Sequence, residues 1–487
     1  MATLTEAGSE QICRKTAQSP ASMVQIEGVA RTLNFVPSRF NARSADPDGT
    51  LILYNSFYGA ISGFPAALRS PVEQRLRRAG FEGKLEGVTK YLYERGFLVQ
   101  RGTDEFQRVR MMYGNQQYKQ DRLELILLSS EECNFRCVYC YEEFPRGTME
   151  PWVRDSILKM VARRAPRLNE LAVSWFGGEP LLGYEAIEEI GPRLVELSEK
   201  NGINYSSNMT TNGYLLTPDK FVNLLKWNVR GYQITLDGTP EDHDQHRILR
   251  GGGPTFDVIF ENLREMKKVK EPFFVSLRIN FDRDNIPRMG EFMETLKSAF
   301  GDDERFVLRF YPIGTWGGSN DDHLPVCGVT GEEERQTLEL AALAKGIRAE
   351  SKFPYMQPQT SMAVCYAARP YNLLIGADGK IMKCTIALDT KDYNIVGRMT
   401  PEGLAQIDVD KLAKWVAPYF EDDPTCQKCF FLPVCQGCSC PLPRIETEER
   451  PCPPEKTKIG KALRTVWASR KGSGKGFSIS RNEFVTR

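Results

Sequence analysis

Apolar runs alternate with helix-like segments between residues 123 and 313. Six runs have strand character, at 123–130, 171–176, 205–211, 232–237, 273–281 and 305–313. Helical patterns follow the first five runs and begin near Pro151, Tyr184, Pro218, Phe256 and Ile286. Strands that alternate with helices predict βα units and a parallel sheet. The predicted fold class is therefore α/β, with βα repeats in a closed or partly closed sheet and a site at the carboxyl ends of its strands.

The pattern before residue 118 predicts a disordered start and a small module. Residues 1–25 are polar and aperiodic, which is typical of disorder. After them come two strand-like runs that flank a turn at Asp46–Gly49, two helical patterns and one short strand, at 31–44, 50–62, 70–78, 84–96 and 97–99. Strands and helices of this size predict a winged-helix-like domain, with bounds at 26–110.

Composition and charge narrow the class of protein. The chain has 487 residues, of which 41% are hydrophobic, so ordinary globular cores are expected. Lys and Arg total 64 against 63 Asp and Glu, a net charge of +1 that favours neither nucleic acid nor an anionic membrane as a partner. The chain shows no signal-like leader and no run of 18 apolar residues, so we predict a cytoplasmic protein. Because the cytosol keeps thiols reduced, the 13 cysteines of the chain are better explained as metal ligands than as disulfides.

Three cysteines directly after the first strand carry the most specific signal. Cys133, Cys137 and Cys140 have the spacing C-x3-C-x2-C in the run CNFRCVYCYE. Three thiolates on an iron–sulfur cube leave one iron without a protein ligand, free to bind a small molecule. Zinc is the alternative, but structural zinc takes four ligands and no fourth Cys or His lies nearby in the sequence.

The spacing, with Tyr139 before the last cysteine, resembles the signature of the radical S-adenosylmethionine (SAM) enzymes. The resemblance implies a partial six-stranded TIM barrel at 118–320 and a [4Fe–4S] cluster whose open iron chelates SAM. It also implies that an electron from the cluster cleaves SAM to methionine and a 5′-deoxyadenosyl radical.

Motifs at later strand ends resemble the SAM-binding strings of the same family. The string Phe176-Gly177-Gly178-Glu179-Pro180 ends the second strand; its glycines allow close backbone approach and Glu179 offers an acceptor for the SAM ammonium. Asn212 follows the third strand, and Thr235, Asp237 and Arg247 follow the fourth. The resemblance implies SAM contacts at Tyr139, Gly177, Gly178, Glu179, Asn212, Thr235 and Arg247, while Asn212 and Asp237 equally suit turns and caps. We expect His243 and His246 to be solvated and assign them no metal.

Eight more cysteines lie between 365 and 452, a density that needs metal to order a loop-rich segment. Zinc ribbons are the alternative, because C-x2-C pairs suit zinc as well as iron–sulfur clusters. The spacing resembles the SPASM domain, which implies two auxiliary [4Fe–4S] clusters at 365–455 and three clusters in all. By position, the inner cluster takes Cys365, Cys384 and one or both of Cys438 and Cys440, and the outer takes Cys426, Cys429, Cys435 and Cys452.

The inner ligand set stays open because the chain departs from the family's pattern. The family has three residues and then a cysteine after the position of Cys435, whereas this chain has Ser439 at that place, flanked by Cys438 and Cys440. The candidates for a fourth inner ligand are the second member of that pair, distant Cys327, or a substrate thiolate on an open iron. Residues 321–364 are predicted as a bridging region, and 456–487 as a basic tail that is disordered or loosely docked.

The 26–110 module resembles the peptide-recognition domain of many radical SAM peptide maturases, which adds a precursor's leader as an edge strand; a structural cap is the alternative. Extra clusters imply that an electron leaves the substrate, so the predicted enzyme installs an oxidative crosslink (thioether, C–C or C–O) in a ribosomally made precursor peptide. An electron donor such as flavodoxin or ferredoxin is the second implied partner. The alternatives are a sulfatase-type or quinone-cofactor protein maturase and a non-enzymatic electron-transfer protein.

Thr385 distinguishes among these activities. Sulfatase-maturing relatives have an Asp directly after the cysteine equivalent to Cys384, whereas this chain has Thr385, which counts against formylglycine formation. The sequence does not identify the catalytic base. Acidic residues before the auxiliary region are more typical of solvated loop charges, namely Asp321, Asp322 and 332–334.

Overall fold

The computed structural model describes residues 32–472, except 317, 319–320, 351–355, 357–364, 389–390 and 438–439. The predicted disordered segment 1–25, Cys438 and the end of the predicted basic tail therefore lie outside the described residues. The described residues fall into two compact units, one that ends at Glu105 and one that begins at Phe106.

The first unit contains six strands and two helices: β1 (Leu33–Pro37), β2 (Asn41–Ala45), β3 (Leu51–Asn55), β4 (Ala60–Phe64), α1 (Ala66–Arg75), β5 (Phe81–Gly83), α2 (Gly87–Glu94) and β6 (Leu98–Gln100). They form two antiparallel sheets with the strand orders β5-β1-β6 and β2-β3-β4. A core of Phe35, Leu53, Phe64, Leu92 and Phe97 holds them together.

Each of the two predicted strand runs in this unit is divided into two strands. The second run breaks after Asn55, whose buried side chain accepts the backbone N–H groups of Phe57 and Tyr58. A side chain that satisfies local backbone donors favours a turn over a continued strand. The apolar pattern does not show this break, because Phe57 and Tyr58 continue it.

The second unit contains the alternating strands and helices that the hydrophobic pattern predicts, together with four short or flanking elements that it does not predict. They are α3 (Glu105–Gln117), β7 (Arg122–Ser130), β8 (Phe135–Cys137), α4 (Pro151–Arg164), β9 (Glu170–Gly177), α5 (Tyr184–Asn201), β10 (Asn204–Thr211), α6 (Pro218–Lys226), β11 (Val229–Thr235), α7 (Pro240–His246), β12 (Arg247–Leu249), α8 (Phe256–Lys268), β13 (Phe274–Phe281), α9 (Met289–Phe300) and β14 (Phe306–Pro312). All six predicted strands and five predicted helices are confirmed.

Six of these strands lie side by side and parallel, in the order β14-β13-β11-β10-β9-β7. One face of the sheet is buried beneath the helices, with Val173, Trp175, Tyr232 and Ile234 in the core. Because the strands are parallel, their carboxyl ends meet at one edge. The predicted α/β fold with a central parallel sheet is confirmed.

The remaining elements are α10 (Gly331–Ala344), β15 (Asn372–Ile375), β16 (Lys380–Met382), β17 (Ile395–Met399), β18 (Ala405–Ile407), α11 (Val409–Val416), α12 (Pro424–Gln427), α13 (Leu432–Cys435), α14 (Pro441–Thr447), α15 (Pro454–Thr457) and α16 (Ile459–Gly472). Strand β15 pairs in parallel with β7, and β16, β17 and β18 add antiparallel strands, so the sheet has ten strands. The hydrophobic pattern does not predict this extension, because the four residues of β15 are too few to show a period.

Part of the predicted disordered or loosely docked tail is helical. Helix α16 buries Leu463, Val466 and Trp467, and Lys458 before it pairs with Glu333 of α10. Apolar residues at 462, 463, 466 and 467 have helical spacing, but the basic composition around them hid the pattern. The expectation of disorder is therefore wrong up to residue 472.

None of the helices in the described ranges combines the length and the apolar character that crossing a membrane requires.

Candidate functional site

The three-cysteine loop follows β7 and contains the short strand β8: Cys133 precedes β8, Cys137 ends it and Cys140 lies beyond it. Strand β8 pairs with β12, which places Cys137 opposite Arg247. The Val138 N–H extends this pairing by donating to the His246 carbonyl at 2.9 Å. The Cys133 thiol lies within electrostatic range of Cys137 and Cys140, so the fold gathers the three predicted ligands.

Burial raises the pKa of the Cys133 thiol and of the Cys140 thiol to about 12, and it also raises the pKa of Cys137. A thiol in such a place ionises only if a cation compensates for the lost hydration. The loop is thus built for thiolates that bind a positively charged group.

The two glycines of the GGEP string are explained by backbone packing. A Cβ at Gly177, whose φ is +135°, would lie 1.9 Å from the Ser130 carbonyl oxygen, and one at Gly178 would lie 2.6 Å from that of Glu132. The Glu179 N–H donates to the same Glu132 carbonyl at 2.8 Å. The end of β9 therefore fastens the start of the cysteine loop, whereas the sequence suggested close approach to a ligand.

Glu179 is fully buried and joins two strand ends. Its carboxylate accepts hydrogen bonds from the Leu181 N–H at 2.9 Å, the Thr211 hydroxyl at 2.7 Å and the Asn212 N–H at 2.8 Å. Burial raises the pKa of Glu179, and these hydrogen bonds oppose the rise. A carboxylate has about four lone-pair sites, so one acceptor site remains for the predicted SAM ammonium.

The Asn212 side chain reaches the cysteine loop. Its amide donates to the Asn134 side-chain oxygen at 2.8 Å and lies 3.8 Å from Cys133 Sγ. Thr235 ends β11 and is buried at the same edge of the sheet.

Tyr139 is the centre of a polar network beneath the loop. Its hydroxyl donates to Asp237 and accepts from Arg247 Nη1 at 2.8 Å and from the Asn280 amide at 2.9 Å. Burial tends to lower the pKa of Arg247, but Cys137, Tyr139 and Asp237 raise it well above its ordinary value. The role of Asn280 in this network was not predicted, because a single Asn near the end of a strand belongs to no recognisable motif.

The two histidines are not solvated, so that expectation is wrong. His243 is fully buried, its Nδ1 accepts the Asp237 N–H at 3.2 Å, and its Nε2 lies 3.1 Å from the Thr255 hydroxyl. Burial lowers the pKa of His243 well below its ordinary value, which keeps the ring neutral. His246 Nε2 lies 3.2 Å from an Asp282 carboxylate oxygen, and the pKa of His246 is raised: burial opposes the rise, and the Asp282 hydrogen bond drives it.

The surroundings of the loop fit an anionic ligand. Arg247 is 7% exposed, and its Nε is buried without a hydrogen-bond partner, as is the amide nitrogen of Asn134. Buried polar groups in proteins are normally paired, so these donors are available to a bound group. A SAM carboxylate on a cluster held by Cys133, Cys137 and Cys140 fits this donor set.

A narrow cleft opens beside the loop, between the ends of β7 and β9 and the segment after Cys384. Burial, Glu131 and Glu179 together raise the pKa of the Glu142 carboxyl to about 8. The lining residues are Leu128, Glu131, Tyr141, Glu142, Glu143, Phe144, Pro145, Gly177, Ile386 and Leu388. Substrate beside the cysteine loop would contact these side chains.

The later cysteines form two groups. Cys365 lies within electrostatic range of Cys384 and Cys440, and Cys435 within range of Cys426, Cys429 and Cys452. The second group lines a small cleft, together with Thr425, Leu432, Gly437, Arg450, Pro451 and Lys456. The grouping matches the predicted ligand sets as far as the structure describes them.

Cys327 has different charged neighbours from these groups. The charged groups that act on its thiol are Asp282, Glu334 and Arg283. Within the described residues, no three His, Cys, Asp or Glu side chains are close enough together to hold one metal ion. Each thiolate of a cluster binds a different iron, so cluster ligands stand further apart than the ligands of a single ion.

The acidic residues at 332–334, which were candidates for a catalytic base, lie at the start of a helix. Residues 332–334 lie in the first turn of α10, not in a loop, and Glu332 and Glu333 pair with Arg335 and Lys458. Carboxylates in the first turn of a helix complement its dipole. The structure therefore gives these two a stabilising role.

Comparison with known proteins supports the chemistry of the cysteine loop. Residues 127–296 match the Radical SAM superfamily. Over 189 residues, 32% of this chain and 39% of the relative, the chain is 24% identical to the radical SAM cyclopropyl synthase TigE of Paramaledivibacter caminithermalis. Over 165 residues, 32% of this chain and 43% of the relative, it is 28% identical to the cysteine-type anaerobic sulfatase-maturating enzyme of Clostridium novyi. The matches thus span about two fifths of each relative.

Among solved structures, native anSMEcpe with bound AdoMet and Kp18Cys peptide matches with a TM-score of 0.53 and 17% identity, over 72% of this chain and 98% of the other. This similarity supports the fold. The radical SAM domain implies SAM and a [4Fe–4S] cluster as cofactors. Residues 127–296 therefore form a radical SAM domain.

Proposed function

We propose that this chain is a radical SAM peptide maturase that installs an oxidative crosslink in a ribosomally made precursor peptide. The observation that carries the proposal is the grouping of the cysteines: three on the barrel loop, and two further groups after β14. One open cluster suffices to generate a radical, so two more groups support a reaction that also removes an electron.

Each residue of the loop has a defined task in this proposal. Cys133, Cys137 and Cys140 bind the cluster, Arg247 with its free Nε holds the SAM carboxylate, and Glu179 accepts from the SAM ammonium. Tyr139 and Asn280 fix the position of the Arg247 guanidinium. When bound, the clusters supply the electron that cleaves SAM to methionine and a 5′-deoxyadenosyl radical, and accept the surplus electron of the oxidation.

The substrate loses two hydrogens in total. The 5′-deoxyadenosyl radical takes one hydrogen atom, which gives 5′-deoxyadenosine and a carbon radical on the peptide. Bond formation to a neighbouring group then releases one proton and one electron. The cleft beside the loop offers the peptide apolar contacts from Phe144, Ile386 and Leu388 and a carboxyl group from Glu142.

Thr385 supports crosslinking over formylglycine formation. Its N–H and hydroxyl both bind the Tyr366 hydroxyl, at 2.9 and 2.8 Å. A threonine held in this way supplies no carboxylate to accept a proton. Sulfatase-type maturation stays the second candidate, because the chain is similar in sequence to a sulfatase-maturating enzyme.

The first unit is the proposed binding domain for the leader of the precursor. Its two small sheets have β5 and β6, and β2 and β4, as their outer strands. An outer strand offers unpaired backbone groups to which an extended peptide adds as a further strand.

Anaerobic turnover tests the proposal. The reconstituted protein is mixed with SAM, a reductant and the short peptides encoded next to its gene, and the products are analysed by mass spectrometry. We expect 5′-deoxyadenosine and a peptide that has lost two hydrogens, and neither product with Cys137→Ala. SAM cleavage without a mass change on any such peptide would contradict the peptide substrate, and formylglycine on a sulfatase peptide would establish the second candidate. Failure to cleave SAM at all would favour a non-enzymatic electron-transfer protein.

A further inference from the structure

The four-cysteine group at Cys426, Cys429, Cys435 and Cys452 is bordered by cationic side chains. Lys456 Nζ lies 3.1 Å from Cys452 Sγ, and Arg444 Nη2 lies 3.6 Å from Cys426 Sγ. Each is a donor to a thiolate sulfur, and the two contacts involve different cysteines. Lys456 is also within electrostatic range of Cys429 and Cys435.

A buried carboxylate holds this arrangement in place. Asp423 caps α12 by accepting the N–H groups of Thr425 and Cys426 at 3.0 and 3.2 Å. It also accepts from Arg444 at 3.1 Å and from Arg450 at 2.7 Å. The same side chain therefore positions Cys426 and two arginines, whereas Lys456 reaches the group on its own, through Cys452.

The two other groups of cysteines differ from this one in access. Its Cys426 and Cys435 are buried like Cys133 and Cys384, but its Cys452 is exposed, whereas each described cysteine of the other two groups is buried or half-buried. An exposed ligand makes this group the natural point at which electrons pass between the protein and a partner. A positive charge or a hydrogen bond at a cluster sulfur favours the reduced, more negative state of the cluster and so raises its reduction potential.

We infer that Lys456 raises the reduction potential of an outer [4Fe–4S] cluster, so that the electron removed from the substrate collects at this group. The inference rests on the proposed function, because it assigns the four cysteines to an auxiliary cluster. Lys456 is a positioning residue in this scheme, since it acts on the cluster through its ligand sulfurs. The couple involved takes up one electron.

Redox titration of the full chain, followed by electron paramagnetic resonance, tests the inference. The titration uses the combined Cys133→Ala, Cys137→Ala and Cys140→Ala background, which removes the signal of the SAM cluster. The outer cluster is the signal that a further Cys429→Ala change abolishes. The tested variant is Lys456→Gln, and the matched control is Lys458→Gln. Lys458 lies two residues away, pairs with Glu333 at 3.1 Å and loses the same charge on substitution.

Lys456→Gln should lower the midpoint potential of the outer cluster by about 59 mV, a tenfold change in the one-electron equilibrium constant. The midpoint potential of Lys458→Gln should stay near that of the parent. Lys456→Arg keeps a donor and a positive charge, so its midpoint potential should shift much less than that of Lys456→Gln. An unchanged potential, or equal shifts in both Gln variants, would overturn the inference while leaving the cluster assignment intact. If Cys429→Ala removes neither iron nor a signal, the outer cluster and the inference both fail.

Discussion

Arg247 donates a hydrogen bond to the Tyr139 hydroxyl at 2.8 Å, and the strand register sets the same arginine opposite Cys137. The two residues are 108 positions apart in the sequence. Strands β8 and β12 bring them together, and Asp237 and Asn280 complete the network around the phenol. The guanidinium is thus fixed beside the cysteine loop before any ligand arrives, which reduces the entropy lost when an anion binds.

Substitution of Arg247 should therefore weaken SAM binding. With Arg247→Gln, the loss of a buried charge-assisted hydrogen bond should raise the dissociation constant for SAM at least about tenfold, measured by equilibrium binding to the reconstituted protein. Arg250→Gln is the control, because Arg250 is exposed and pairs with Glu132 at the surface. Equal affinities of the two variants for SAM would contradict the assigned role of Arg247.

The GGEP glycines should be required for folding even without SAM. Gly177→Ala would set a Cβ 1.9 Å from the Ser130 carbonyl oxygen at a φ of +135°, so backbone must move. We expect a loss of several kcal/mol, about 3 or more, in the cofactor-free protein, seen as a lower temperature of thermal unfolding. Gly202→Ala is the control: its φ is +66° and no atom lies within 4 Å of its Cβ, so about 1 kcal/mol is expected. Matching losses would show that crowding at Gly177 is unimportant.

The strands of the radical SAM domain were predictable because their buried faces repeat an apolar pattern that the fold needs throughout. Trp175 and Ile234 belong to such runs and lie in the core. The reason for Gly177 was not predictable, because it depends on the distance to a backbone oxygen 47 positions away. Burial of His243 was missed for a similar reason: its partner Thr255 comes from the start of another helix.

The groups of later cysteines were predictable only from family spacing, which says nothing of the cations around them. Arg444 stands between the cysteines in sequence without a distinctive pattern around it, and Lys456 was predicted only as part of the basic tail. Their contacts with Sγ atoms depend on the turns around α14 and α15. Polar contacts between loops depend on the fold of the whole chain, so the sequence does not predict them. Apolar periodicity is a property of each segment and can be recognised in the sequence.

Glu339 of α10 predicts a pH dependence of stability. Burial raises the pKa of its carboxyl to about 7, against 4.5 ordinarily, although Arg335 opposes the rise. The folded state therefore binds this proton more tightly than the unfolded chain. Ionisation of Glu339 therefore lowers the free energy of unfolding. This loss is absent below pH 4.5, grows between pH 4.5 and pH 7, and reaches about 3 kcal/mol above pH 7.

Glu339→Gln removes the titration, so the variant should lose less stability than the parent between pH 5 and pH 8, about the range bounded by these pKa values. Thermal unfolding at both pH values measures the difference. Glu333→Gln, an exposed change in the same helix, should follow the parent at both. An equal loss of stability from pH 5 to pH 8 in the parent and in both variants would rule out the contribution of Glu339.

Iron content should distinguish the cysteines that bind a cluster from Cys327. Cys440 lies near Cys365 and Cys384, so Cys440→Ala should lower the iron bound after reconstitution by up to about four atoms per chain, one [4Fe–4S] cluster. The charged neighbours of Cys327 are Asp282, Glu334 and Arg283, so Cys327→Ala should keep the parent's iron content. Iron is measured together with the visible absorbance of the clusters. Loss of iron in Cys327→Ala, with none in Cys440→Ala, would reverse the assignment and make Cys327 the inner ligand.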